Sequence, residues 1–160
     1  MEQKPNRVII HHSGNASSRP QFLEIDALHK SKNFTQGSLG YFGGYHYLIE
    51  KTGHVFHYRL ESETGQHDNG ENINTLGICL AGNFSQELPT KAQESALASL
   101  LEEIMGRWKI PLERIDPHRW GDQTECPGLR LADTWARAIY LQYKINWLKR
   151  LILWMQKNLQ

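Results

Sequence analysis

Thr75-Leu76-Gly77-Ile78-Cys79-Leu80-Ala81 is the stretch on which the fold turns. It is a short apolar run, closed by Gly82-Asn83 and preceded by polar, irregular sequence over residues 60–74. A strand with one wet face alternates apolar and polar residues. A run that does not alternate suits a buried strand, inside a sheet with layers above and below it. Working outward toward the N-terminus, Lys51-Thr52-Gly53 separates two strand-like stretches, residues 45–50 and 54–59, and its glycine suits a tight hairpin. Residues 33–44 carry four glycines and read as a loop near a site. Residues 21–32 read as a helix with Phe22, Ile25, Leu28 and His29 on one side. Residues 7–10 are β-rich and end in His11-His12.

Toward the C-terminus, Thr90 is an N-cap with Gln93 three residues on, a capping box that gives two orphan backbone donors a partner. Ala92, Ala96, Leu97, Leu100, Leu101, Ile104, Met105 and Trp108 follow at helical spacing, which predicts a helix over residues 90–108. Residues 110–128 contain three prolines and two glycines and read as irregular. Residues 129–160 contain neither, so a helix starts there and runs nearly to the end. Strands and helices are mixed, without repeats or low-complexity linkers. The expected fold class is α/β, with a central mixed β-sheet flanked by helices on both faces.

The chain has 160 residues, enough for one domain plus an appendage, with 39% hydrophobic and 22% charged residues. A formal net charge of +1 provides no global field that would draw it to nucleic acid. Its two cysteines, Cys79 and Cys126, are too few for a disulfide scaffold. A single bridge between them would consume Cys126 as a metal donor. No apolar run approaches the roughly 20 residues that span a bilayer.

His118 and Cys126 lie eight residues apart in His-Arg-Trp-Gly-Asp-Gln-Thr-Glu-Cys-Pro-Gly. Imidazole and thiolate together are good zinc donors, and a third ligand would leave the fourth tetrahedral position open, the layout of a catalytic site. His11 and His12 alternate along a strand, so only one of them easily joins such a site. A lone histidine and a lone cysteine in a chain of this size are as often structural, and the spacing alone names no reaction.

Over residues 7–140 the chain resembles the zinc amidases of the phage lysozyme type and the related peptidoglycan recognition proteins. Val8-Ile9-Ile10-His11-His12-Ser13, Gly44-Tyr45-His46-Tyr47-Leu48-Ile49, Gly65-Gln66-His67 with Asn74-Thr75-Leu76-Gly77-Ile78, and His118-Arg119 with Thr124-Glu125-Cys126-Pro127-Gly128 carry the resemblance, in the family's order. The resemblance implies the amidase / peptidoglycan recognition protein-like fold and a Zn2+ cofactor held by His11, His118 and Cys126. It implies Tyr45 as the catalytic tyrosine and His12 as a neighbour packed on the other face. Thr124 stands where phage enzymes often place a lysine, so it would bring an oxyanion donor without charge. His67 and Arg119 are expected to bind substrate. His29 is expected to be buried and hydrogen-bonded, His46 to face away from Tyr45, and Cys79 to be a core residue.

The implied activity is hydrolysis of the amide between N-acetylmuramic acid and L-alanine by zinc-activated water, in an endolysin of phage type. Two alternatives stand beside it: a non-catalytic module that recognises peptidoglycan, and a secreted antibacterial amidase effector. Retention of Cys126 and Tyr45 favours the enzyme. Residues 1–140 are expected to form the amidase domain and residues 141–160 an extension. The first residues, Met-Glu-Gln-Lys-Pro-Asn-Arg, lack the apolar stretch of a secretory signal, so synthesis in the cytoplasm and action on the wall after release are expected.

The extension carries Lys144, Lys149, Arg150 and Lys157 and no acidic residue. On a helix, Leu141, Tyr143, Ile145, Trp147, Leu148, Leu151, Ile152, Trp154, Met155 and Leu159 cover a wide apolar arc, with Gln142, Asn146, Lys149, Arg150, Gln156 and Lys157 opposite, while Lys144, Leu153 and Asn158 break the pattern. Such a basic amphipathic helix either contacts a membrane or envelope surface, or docks on its own domain or on a second subunit in self-association.

Overall fold

The computed structural model describes residues 2–158, so Leu159 of the apolar arc lies outside the described residues. Five strands form one mixed sheet: β1 (Arg7–His12), β2 (Tyr47–Ile49), β3 (Val55–His57), β4 (Thr75–Leu80) and β5 (Ile115–Pro117), in the spatial order β3-β2-β4-β1-β5. β4 is parallel to β1 and β2, β1 is parallel to β5, and β3 closes an antiparallel hairpin on β2. All six residues of β4 are buried, as its unbroken apolar sequence requires.

Three α-helices cover the sheet: α1 (Phe22–Ser31), α2 (Lys91–Trp108) and α3 (Trp135–Asn158). Strand alternation assigns them to two cores. Val8, Ile10, Leu76, Ile78 and Leu80 pack on Leu97, Leu101 and Ile104 of α2 and Ala136 of α3. Leu48, Cys79 and Ala81 pack on Phe22 and Ile25 of α1 and on Tyr58. His11 follows Ile9 in alternation and so belongs to the α1 face, while His12 belongs to the other.

The capping box at Thr90 and Gln93 is present. Gln93 does more than cap: it is fully buried, and its Nε2 donates to Ile49 O (3.1 Å) and Ala81 O (2.8 Å), tying α2 to the ends of β2 and β4. α1 is capped from a distance, for Glu50 Oε1 accepts the N–H groups of Gln21 (2.6 Å) and Phe22 (2.9 Å). That places a carboxylate at the positive end of the helix. The predicted helix side is corrected at Leu28, which is 49% exposed while Phe22, Ile25 and His29 are buried. At about 100° per residue, Leu28 sits roughly 90° from the centre of their stripe. The hairpin turns at Gly53 with φ +85°, which a side chain would strain.

Residues 115–117 are a strand rather than irregular. Three residues are too few to show a period, and Pro117 is tolerated because β5 is an edge. Asp116 fixes this edge, pairing with Arg7 of β1 and Arg137 of α3 at 2.6 Å each. Both cysteines are free.

α3 passes through position 140 without a break. Tyr140 and Lys144 bond Glu102 of α2 at 2.6 and 2.7 Å. Farther along, Ile145 (46%), Trp147 (46%), Leu148 (48%), Ile152 (53%) and Trp154 (61%) are exposed, so the outer half does not dock on its own domain. No helix among the described residues is long and apolar enough to cross a membrane.

Candidate metal centre

β1 and β5 are parallel neighbours, so their C-terminal ends meet. His11 sits at the end of β1, and His118 opens the 3-10 turn that follows β5 directly. The loop after that turn returns Cys126 to the same place. One donor atom from each of His11, His118 and Cys126 lies within 4.8 Å of the others. Cys126 Sγ is 3.8 Å from His11 Nδ1.

His11 is only 1% exposed, and its other ring nitrogen, Nε2, is 3.1 Å from His67 Nδ1. Tautomers follow from the partners beyond. The Thr75 hydroxyl donates to Glu71 O (2.6 Å), so its oxygen is free to accept from His67 Nε2–H at 3.4 Å. His67 Nδ1 is then an acceptor, His11 Nε2 carries the proton, and the lone pair of His11 Nδ1 faces Cys126. Burial first, and then His67 and His118, hold the His11 pKa well below the ordinary histidine value, so the ring is neutral and fit to bind a cation. His67, expected to bind substrate, is placed here as a buried neighbour of His11. Gly77 makes room for it, since a Cβ at that position would lie 2.5 Å from His67 Cγ.

Burial pushes the Cys126 thiol up to about 12, against the opposing pull of the His12 N–H, 3.4 Å from Sγ, and of Arg119. Arg119 holds this loop. Its N–H donates to Cys126 O (2.9 Å), and its guanidinium donates to Gly128 O (2.8 Å) and lies 3.3 Å from Asp133 Oδ1. These bonds make Arg119 a brace for the Cys-Pro-Gly turn, the place the structure gives a residue expected to bind substrate. The Cys126–Pro127 peptide is cis. The Thr124 hydroxyl oxygen accepts the Cys126 N–H (3.2 Å), leaving its hydrogen free to donate outward.

The Tyr45 ring centroid is 5.1 Å from that of His11 and 5.5 Å from that of His29. Burial first, and then the Cys79 and Cys126 thiols, raise the Tyr45 hydroxyl well above the ordinary tyrosine range, so it is a donor at neutral pH and not a base. His29 accepts the Gly44 N–H (2.9 Å), and His12 accepts the Phe84 N–H (3.0 Å) on the opposite face. His46 turns away from Tyr45, accepts the Gly77 N–H on Nδ1 (3.1 Å) and donates from Nε2 to Glu63 O (2.9 Å).

Two residues at the site gave no signal in the sequence. Asp68 Oδ1 and Asp122 Oδ2 lie 3.7 and 3.5 Å from His118 Nε2. Asp68 belongs to the polar stretch that reads only as a loop. Burial raises its carboxyl above the usual range, with Asp122 and Glu71 acting the same way and His118 opposing them. Taken together, a neutral imidazole, a second imidazole and a buried thiol without a disulfide partner fit a borderline-soft cation such as zinc.

Residues 1–129 match the family described as N-acetylmuramoyl-L-alanine amidase. Peptidoglycan-recognition protein SC2 of Drosophila melanogaster is 30% identical over 125 residues, covering 77% of this chain and 68% of its own length. The endolysin of Escherichia phage T7 is 30% identical over 99 residues, covering 59% and 64%. Among solved structures, the N-acetylmuramoyl-L-alanine amidase LysC from Clostridium intestinale URNW superposes with a TM-score of 0.72 at 32% identity, covering 85% of both chains.

Proposed function

The chain belongs to the N-acetylmuramoyl-L-alanine amidase family, and on that footing we propose that it is a zinc-dependent peptidoglycan amidase acting on the wall after release from the cytoplasm, as an endolysin does. The observation that carries this reading is the convergence of His11, His118 and Cys126 within 4.8 Å, with the Tyr45 ring packed on His11. Those three side chains would hold the ion. The chemistry supplied by zinc in a three-ligand site is Lewis acidity, which activates water and polarises a carbonyl.

The chain's own residues then have distinct work. Tyr45, held protonated, donates a hydrogen bond to the water or to the oxygen that gains charge as the amide is attacked. Thr124 presents a second O–H toward the same developing charge. His67 keeps the His11 lone pair directed at the ion, and Arg119 with the His12 N–H keeps the Cys126 sulfur in place. Peptidoglycan is the partner, a reading supported by the relative named for recognising it.

Digestion of purified sacculi tests this reading. The expected products are free stem peptides with new N-terminal alanine, no new reducing sugar, and loss of the activity on chelation with recovery on adding zinc. Tight binding to sacculi without release of peptide would instead establish a recognition module.

A second reading concerns residues 141–158, which we propose seat on an anionic lipid surface. The apolar arc spans about 200° at 100° per residue, wider than the seam of a helix pair. The opposite face carries Lys149, Arg150 and Lys157, and residues 141–158 contain no acid. Packing two copies through the apolar arc would leave these cations uncompensated in solvent, whereas anionic headgroups complement them. The full chain should co-sediment with vesicles containing phosphatidylglycerol but not with pure phosphatidylcholine, and Ile152→Glu should abolish this. A zinc-loaded dimer in sedimentation velocity that ignores both vesicles would sink the membrane reading.

A further inference from the structure

We propose that Asp68 is a positioning residue: its carboxylate accepts the Nε2–H of His118 and so turns the Nδ1 lone pair of that ring toward Cys126 and His11. The inference rests on the zinc reading above and deepens it.

Asp68 is an anomaly until it is given this work. Its side chain is fully enclosed, and neither carboxylate oxygen has a hydrogen-bond partner. His118 Nε2 is likewise buried without one, 3.7 Å from Asp68 Oδ1. Enclosing a carboxylate without a partner is costly, and enclosing an N–H without one costs too. Each group is what the other lacks. A charge-assisted N–H···O bond closes at about 2.7–2.9 Å, so a shift of under about 1 Å joins them.

The surroundings are built for it. Gly121 lies against the carboxylate, where a Cβ would come within 2.9 Å of Asp68 Oδ2. Asn72 Oδ1 accepts the N–H groups of both His67 (2.7 Å) and Asp68 (3.0 Å), clamping the turn that carries them. One clamped turn thus supports two imidazoles, with His67 behind His11 and Asp68 behind His118. Asp122, whose side chain is 37% exposed, is the solvated outer neighbour of the same nitrogen. With Nδ1 of His118 directed at zinc, its Nε2 keeps the proton shared with Asp68, so Asp68, His118 and Asp122 would not form a separate cation site.

The test uses the full chain, zinc affinity by competition with a chromophoric chelator, and ring-nitrogen NMR of His118. Wild-type protein should bind one zinc with His118 as the Nε2–H tautomer. Asp68→Ala should weaken zinc binding 10–100-fold, the range seen when such outer partners are lost. Its metal-free Tm should be no lower than wild type, because the variant removes an enclosed carboxylate. Asp68→Asn, whose amide oxygen still accepts, should keep the tautomer and lose less than tenfold.

Zinc affinity in Asp68→Ala within twofold of wild type overturns the proposal. So does an Nδ1–H tautomer in zinc-loaded wild type, or a loss of zinc affinity matched by a lowered metal-free Tm. If Asp68→Ala fails to fold, Asp68→Asn decides: a retained Nε2–H tautomer supports the proposal, and Nδ1–H overturns it. Wild-type protein that takes up no zinc fails earlier, at the proposed function.

Discussion

Tyr45 is the residue at which the chemistry can be separated from metal binding. Its hydroxyl is held protonated by burial beside two thiols, so Tyr45→Phe removes a donor while leaving the metal donors in place. Turnover should fall about 100 to 1,000-fold, the usual effect of one oxyanion donor, with zinc content unchanged. An equally active phenylalanine variant would refute the role. Cys126→Ser should lose both metal and activity, measured by elemental analysis and peptide release. The Cys126 thiol, pushed up to about 12, is protonated at neutral pH and must shed its proton to hold a cation. Zinc affinity should therefore tighten about tenfold per pH unit between pH 7 and 8, with one proton released per ion; a pH-independent affinity would contradict this. The meeting of His11, His118 and Cys126 was legible in the sequence from the order of the motifs that the resemblance rests on, since alternation alone left His11 and His12 open. The contacts of His67 with His11, of Arg119 with the Cys-Pro-Gly turn and of Asp68 with His118 were not legible, since such pairings leave no periodic trace.

Elements were legible where their pattern was long enough to repeat. α2 announced itself through eight apolar positions and a capping box, and β4 through an unbroken apolar run. β5, with three residues, carried no period, and the cap of α1 came from Glu50, 28 positions from the Phe22 amide that it accepts. Gln93 shows what a capping pattern conceals. Thr90→Ala should cost about 1 kcal/mol, the loss of an N-cap. Gln93→Ala should cost more, about 2–4 kcal/mol, because it also leaves the buried Ala81 carbonyl without its partner and removes one of the two bonds to Ile49 O, which keeps the Ala81 N–H. Urea unfolding midpoints compare the two, and equal shifts would reduce Gln93 to its capping part.

For the molecule as a whole, buried neutral histidines set its tolerance of acid. His46 is fully enclosed and held by burial at a pKa of about 4, below its ordinary 6.5. Protonating Nδ1 would break its bond from Gly77 N–H. The unfolded chain takes up a proton first as pH falls below 6.5, so the stability contributed by neutral His46 is complete above that value and drains away toward pH 4. The amount is on the order of 3 kcal/mol, and His12 and His29, also lowered to about 4, act in the same direction. Thermal melts of metal-free protein from pH 7.5 to 4.5 should show this decline, shallower in His46→Gln; parallel slopes would exonerate His46. The layered sheet was legible at this scale, and the course of α3 beyond its anchorage at Glu102 was not. The three donors are strung far apart, one at position 11 and two beyond position 117. A nascent chain that has emerged only through residue 100 therefore carries one of the three donors, His11, and cannot assemble the cage. The three donors can meet only once residues 115–117 have joined the edge of the sheet and the loop beyond them has folded back.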